Sequence, residues 1–168
     1  MLPQINKILY VTDLGPGSAQ VFRYALSLAS RYQAQITILH IVEPLTPFAQ
    51  NLVELYVSHE QSEAQHAEIR KHLLEKLQER LHDFCSKESC ATEENLVAEI
   101  LVVEGQPAQT IISEAARLNS DMIVMGTHQH SVIGEALLGS TAHNVLHSST
   151  LPVLLVRVPE QQENNAGL

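Results

Sequence analysis

Positive charge is scarce in this chain. Ten Lys and Arg stand against nineteen Asp and Glu in 168 residues, a net charge of −9. The ten are spread along the whole length, so the basic stripe that a duplex nucleic-acid binder needs is missing. Long apolar runs are missing too. No stretch of 18 consecutive apolar residues occurs, which excludes a membrane-spanning helix. The opening MLPQINKILYVTD has neither the basic start nor the long apolar core of a signal peptide, because Asp13 interrupts it. The expected compartment is the cytoplasm. Cysteine is limited to Cys85 and Cys90 in CSKESC, which is not CxxC spacing, and two reduced thiols are the default without a secretory signal. Neither GxxxxGK[ST] nor GxGxxG occurs, and there is no GxSxG elbow. The segment GPGSAQ holds no histidine of the HxGH type that nucleotidyl-transfer enzymes carry near their first helix.

What is present alternates between strand-like and helix-like patterns. Short runs rich in branched residues predict strands at Lys7–Val11, Gln35–Val42, Ala98–Gly105, Asp121–Gly126 and Pro152–Val158. Apolar residues recur with helical spacing at Phe22, Ala25, Leu26 and Ala29, behind a GPGS turn in which Ser18 is a candidate cap. A long helix is expected over about Leu52–Phe84, with Ile69, Leu73, Leu77, Leu81 and Phe84 on one face and charged residues on the other. Further helices are expected at Pro107–Leu118 and Glu135–Ser149, the latter with Gly139 oddly inside it. Residues 45–104 hold twelve of the nineteen acidic side chains. The length fits one domain over residues 1–158, followed by a polar tail at 159–168.

Five continuous apolar strands separated by helices indicate an α/β fold, a doubly wound parallel sheet covered on both faces. Crossovers must be right-handed and doubly wound sheets of this size start from the middle, which puts strand one centrally in the order 3-2-1-4-5. Its switch point falls between strands one and four, and ligands in such sheets bind beyond the strand carboxyl ends at that point. Those ends read Val11-Thr12-Asp13 and Met125-Gly126-Thr127. From Gly126 a polar loop leads to Gly139-Ser140-Thr141 at a helix start, where backbone amides and hydroxyls suit a phosphate. The plainer alternative is that Gly126 only turns the chain and Gly139 only allows close helix packing. Asp13 and Glu43 are the carboxylates with a chance of pairing for acid–base work, since Asp121 opens its strand at the far end.

The pattern Gly-x2-Gly-x9-Gly-[Ser/Thr] after a strand ending in Met-Gly resembles the nucleotide motif of the universal stress protein family. ILYVTD and ILHIVEP resemble that family's first two strands, and VEGQPAQTIISEAARLNSDMIVMGTH with LLGSTAHNVLHSSTLPVLLVRV resembles its C-terminal half. The resemblance covers roughly residues 5–43 and 96–158, and the segment 44–95 between them is variable in the family. It implies an adenine nucleotide, ATP, ADP or AMP, with Mg²⁺ or Mn²⁺ held through the phosphates. It places Asp13 near adenine and ribose with Thr12 beside it, and Ile41 against the adenine. Gly126 becomes the first motif glycine and Gly139-Ser140 the closing pair at the phosphates. Met125, Thr127, His128 and Thr141 take neighbouring positions. It also implies a homodimer through the last strand, Pro152–Val158.

Two residues depart from the family pattern. Gln129 stands where the second motif glycine belongs; a positive φ there would cost on the order of 1–2 kcal/mol, and the alternative is another loop conformation in which Gln129 joins the nucleotide site by donating its amide to a phosphate. Gly15 stands where many relatives have serine. The histidines are mostly read as polar surface. His128 and His130 flank Gln129, where protonation would add pH-sensitive affinity for phosphate. His143 and His147 are four residues apart on a helix but lack a third ligand at metal spacing, and His40, in an apolar strand, reads as a hydrogen-bonded core histidine rather than a ligand. Three functions remain: a nucleotide-binding stress-response regulator, a dimeric signalling scaffold that has lost the nucleotide, and a slow ATPase or phosphotransferase.

Overall fold

The run KILYVT forms strand β1 (Lys7–Thr12), and its side chains divide between two cores. Ile8 and Tyr10 enter one, Leu9 the other, as the two-residue period of a strand requires. The computed structural model describes residues 2–15, 17–44, 63–89, 95–128 and 138–158. Beside β1 lie β2 (Gln35–Val42), β3 (Val97–Glu104), β4 (Met122–His128) and β5 (Val153–Val158). The five form one parallel sheet in the order β3-β2-β1-β4-β5, as the alternation of patterns predicts. Helices α1 (Ser18–Tyr32) and α2 (Glu63–Ser89) cover the face of Ile8 and Tyr10. Helices α3 (Pro107–Arg117) and α4 (Ser140–Ser148) cover the face of Leu9.

Aromatic residues knit the first core. The Tyr10 and Phe22 rings stack at 5.1 Å, and Phe84 tilts onto Phe22 at 5.5 Å. The thiol of Cys85 is buried beside Leu81 in the same core, and burial pushes its pKa up to about 11. A thiol so placed stays protonated and behaves as a small hydrophobe.

Several predicted boundaries shift. The long helix runs to Ser89 rather than Phe84, and residues 52–62 lie outside the described residues. Leu73 does not join the apolar stripe and is 56 % exposed. A helix of 27 residues is about 40 Å long. An eight-residue strand such as β3 is only about 26 Å long, so the helix outruns it. Strand β4 continues two residues past Gly126, to His128. Gly139 is not inside a helix. It has φ −55° and ψ 149° and caps α4, which begins at Ser140; residues 135–137 are not described. Ser18 is the first residue of α1 rather than its cap, which is Gly17.

The Asp121 carboxylate holds the opposite end of the sheet. One of its oxygens accepts the amides of Asn6 and Lys7 at 2.8 and 2.9 Å, fixing the start of β1. This is a structural role and keeps Asp121 far from the strand carboxyl ends.

Candidate functional site

The carboxyl end of β1 is shaped by bonds within its own turn. Thr12 is buried, and its Oγ1 accepts the Leu14 amide at 3.0 Å. Asp13 Oδ1 accepts the Gly15 amide at 2.8 Å and the Ser18 hydroxyl at 3.3 Å. Between them Leu14 is held at φ 58°, a left-handed conformation that a branched side chain rarely adopts. Gly15 has a steric role here. A Cβ at that position would sit 3.0 Å from Asp13 Oδ1, so the glycine lets the carboxylate fold back toward α1. The absent serine of the family pattern is therefore tied to where Asp13 points.

Two ring side chains add donors nearby, buried Tyr10 on β1 and half-buried His40 on β2. The Tyr10 hydroxyl donates to the Ser18 carbonyl at 2.9 Å, and burial raises its pKa above the ordinary range, so it remains a donor. His40 pairs in register with Thr12, and its Nδ1 lies 2.8 Å from the Thr12 carbonyl oxygen. Because a carbonyl only accepts, the proton sits on Nδ1. His40 is thus hydrogen-bonded as its sequence context suggests, but it is half-buried and lines a cavity rather than sitting in the core.

On the β4 side, Gly126 and Gly139 are glycine for different reasons. A Cβ on Gly126 would meet Val21 Cγ2 at 3.0 Å, so α1 packs close against β4 there. A Cβ on Gly139 would meet nothing within 4 Å among the described residues, and its φ is one any residue adopts. Among the described residues, neither packing nor backbone geometry demands glycine at 139. Helix α4 starts directly after it, with no side-chain cap bond and no acidic residue in its first turn. The amides at that end carry the partial positive charge of a helix N-terminus.

These groups surround one cavity of about 570 Å³ at the carboxyl ends of β1, β2 and β4. Nine of the eleven residues that the sequence singles out line it: Thr12, Asp13, Ile41, Met125, Gly126, Thr127, Gly139, Ser140 and Thr141. His128 is the last residue of β4, and Gln129 lies outside the described residues, as do His130 and Cys90. Sequence reasoning missed Tyr10, Ser18, Val21, Pro107, Ile111 and Val158 in the wall. Their apolar or capping roles hide them among ordinary core residues. Glu43, named only as a carboxylate partner for Asp13, lines the cavity as well. His143 and His147 are exposed with rings 6.5 Å apart, and among the described residues no third metal ligand joins them.

A parallel sheet wound outward in both directions from β1, with a cleft of mixed polar and apolar lining where the winding reverses, is a fold of the doubly wound α/β class. The family model described as "Universal stress protein family" matches residues 4–157. Universal stress protein YxiE of Bacillus subtilis is 32 % identical over 153 residues, covering 90 % of this chain and 99 % of its own length. Universal stress protein MJ0531 of Methanocaldococcus jannaschii is 28 % identical over 161 residues, 94 % of this chain and 85 % of its own. The chain belongs to the universal stress protein family. Among solved structures, hypothetical protein MJ0577 superposes with a TM-score of 0.69 at 22 % identity, over 95 % of this chain and 100 % of its own. A universal stress protein crystallised in complex with cAMP gives a TM-score of 0.62 at 19 % identity, over 92 % and 98 % of the two chains. At these identities the superpositions bear on the fold. Among the described residues no helix is long and apolar enough to cross a membrane.

Proposed function

We propose that this protein is a stress-response regulator that binds an adenine nucleotide, ATP, ADP or AMP, in the cavity between β1 and β4. The observation that carries the reading is the convergence of Thr12-Asp13, Gly126-Thr127 and Gly139-Ser140-Thr141 on one cavity at the switch point. A volume of about 570 Å³ suits a small-molecule ligand. No described residue comes within 4 Å of a Cβ at Gly139, which lets a phosphate approach the first amides of α4. The hydroxyls of Ser140, Thr141 and Thr127 add donors, while Ile41 offers an apolar wall to the base and Asp13 an acceptor near the ribose. Support from relatives is the cAMP complex of a protein with this fold. Among the described residues no group of three His, Cys, Asp or Glu assembles. In this reading Mg²⁺ or Mn²⁺ accompanies the nucleotide through phosphate oxygens.

Binding is read as a regulatory event. Ligand at a hundred times its Kd stabilises the bound state by about 2.7 kcal/mol, enough to shift partner choice. The protein is proposed to act as a homodimer through β5, an edge strand whose Leu154 and Leu155 are half-buried in the single chain. The test is direct. Freshly purified protein is denatured, and any released small molecule is identified by mass spectrometry, with calorimetry against ATP, ADP and AMP on stripped protein. An adenine nucleotide in the released fraction or a binding isotherm is expected. No released nucleotide and no heat at millimolar ligand would leave the scaffold reading in its place.

A further inference from the structure

We infer that Arg157 supplies the positive charge for the phosphate end of this cavity, an inference that rests on the nucleotide reading above. The cavity wall carries two carboxylates, Asp13 and Glu43, and among the described residues no Lys or Arg. Without a metal ion, a phosphate there would meet hydroxyls, backbone amides, the His40 imidazole and the partial charge of the α4 N-terminus, but among the described wall residues no permanent cation. An anionic ligand beside two carboxylates calls for a cation.

The chain has only ten basic side chains, and nine of them are placed elsewhere. Lys7 begins β1 at the opposite end of the sheet and donates to the Leu118 carbonyl. Arg23 pairs with Glu88 on α2, Arg31 lies in the last turn of α1, and Arg117 pairs with Glu114 at the end of α3. Five more belong to α2, which packs on α1 and β3. The segments 45–62 and 129–137 contain no Lys or Arg at all. Only Arg157 stands at the carboxyl end of a strand.

Its position fits the task. Arg157 is the register partner of Thr127, a wall residue of the cavity. Paired strands run about 4.8 Å apart. Val156 and Val158 turn into the core beneath α1, so alternation sends Arg157 to the opposite face, where α4 begins. The side chain is exposed, which leaves the guanidinium free to swing toward a ligand. A planar guanidinium binds phosphate oxygens in pairs, which a single ammonium charge cannot do.

The experiment measures adenosine, AMP and ATP binding by calorimetry in EDTA buffer, for wild type, Arg157→Gln and Arg157→Lys, with thermal melting as the check on folding. Arg157→Gln is expected to weaken ATP by about fivefold or more, AMP less, and adenosine not at all. Arg157→Lys is expected to recover part of the ATP affinity. The inference is overturned if ATP affinity is unchanged, or if adenosine weakens as much as ATP. It is also overturned if the variant changes only the sedimentation coefficient, because a charge on an edge strand would then be acting on chain pairing. Wild type that binds none of the three ligands overturns the nucleotide reading itself, whereas binding of all three unaffected by Arg157 overturns only this inference.

Discussion

Gly17 and Val158 meet where α1 begins: a Cβ on Gly17 would fall 2.0 Å from Val158 Cγ1. Gly17 also has φ 87°, so an L side chain is disfavoured there twice over. Gly17→Ala is expected to destabilise the fold by about 2–4 kcal/mol, summing left-handed strain and overpacking. For a chain of this size that lowers Tm by roughly 5–15 °C, read by thermal denaturation. Adding Val158→Ala should relieve the collision and leave the backbone strain, so the double variant is expected to melt between the two extremes. A double variant no better than Gly17→Ala would show that the contact with Val158 is not what matters.

Gly139 offers the opposite case. Nothing among the described residues lies within 4 Å of a Cβ placed there. Gly139→Val is therefore expected to leave Tm within about 2 °C of wild type while lowering ATP affinity about tenfold by calorimetry. Asp13→Ala is expected to reduce affinity similarly, and to loosen the turn whose Gly15 amide and Ser18 hydroxyl it accepts. Full affinity in Gly139→Val would place the phosphates elsewhere.

Alkaline pH should weaken the fold in a defined window. Burial raises Cys85 from 9.0 to about 11, so the folded state holds its proton more tightly than the unfolded state. The stabilisation this represents is fully present below pH 9 and is lost as pH rises through 11. Tyr10, raised by burial, acts in the same direction at still higher pH. Urea denaturation at pH 7, 9 and 10.5 should show falling midpoints. Cys85→Ala should start lower, for the small cavity it leaves, and fall less steeply between pH 9 and 10.5. Equal slopes in the two proteins would remove Cys85 as the cause.

The last strand gives a fourth expectation. Leu155 is half-buried on edge strand β5, whereas Val156 is 6 % exposed and belongs to the core beneath α1. Leu155→Lys is the informative change, since Val156→Lys would unfold the chain rather than report on pairing. Leu155→Lys is expected to give monomers in sedimentation velocity where wild type gives dimers. An unchanged dimer would move the contact away from this edge.

Much of this architecture is legible from residue pattern. QITILHIV predicts β2 to the residue, because a strand covered on both faces is apolar throughout and ends at Glu43-Pro44. The strand order matches the expectation for a doubly wound sheet begun from its middle strand with right-handed crossovers. The α4 start is misread because EALL continues the helical apolar period across Gly139, and period alone cannot mark a cap. Leu73 is misread for a related reason: spacing shows which residues share a helix face, but not how far along the helix the sheet extends beneath it. Within the cavity, Thr12, Gly126 and Thr127 are visible because they interrupt apolar strands, and Gly139-Ser140-Thr141 because a glycine and two hydroxyls stand together at a helix start. Tyr10 and Val158 are invisible because each also belongs to the core. Gly15 has no sequence-level signal for its proximity to the Asp13 carboxylate, a distance that exists only once the turn has closed.

The central place of β1 carries a consequence for biosynthesis. One flank of β1 pairs with β2 almost at once, but the other waits for β4, whose Met122 lies opposite Ile8. At ribosomal speeds, the interval between making those two residues is roughly six to twenty seconds. During that time the growing chain presents an unpaired, strongly apolar ribbon in its middle. Nascent chains stalled before residue 122 should therefore be the species that chaperones retain and that aggregates when they are scarce.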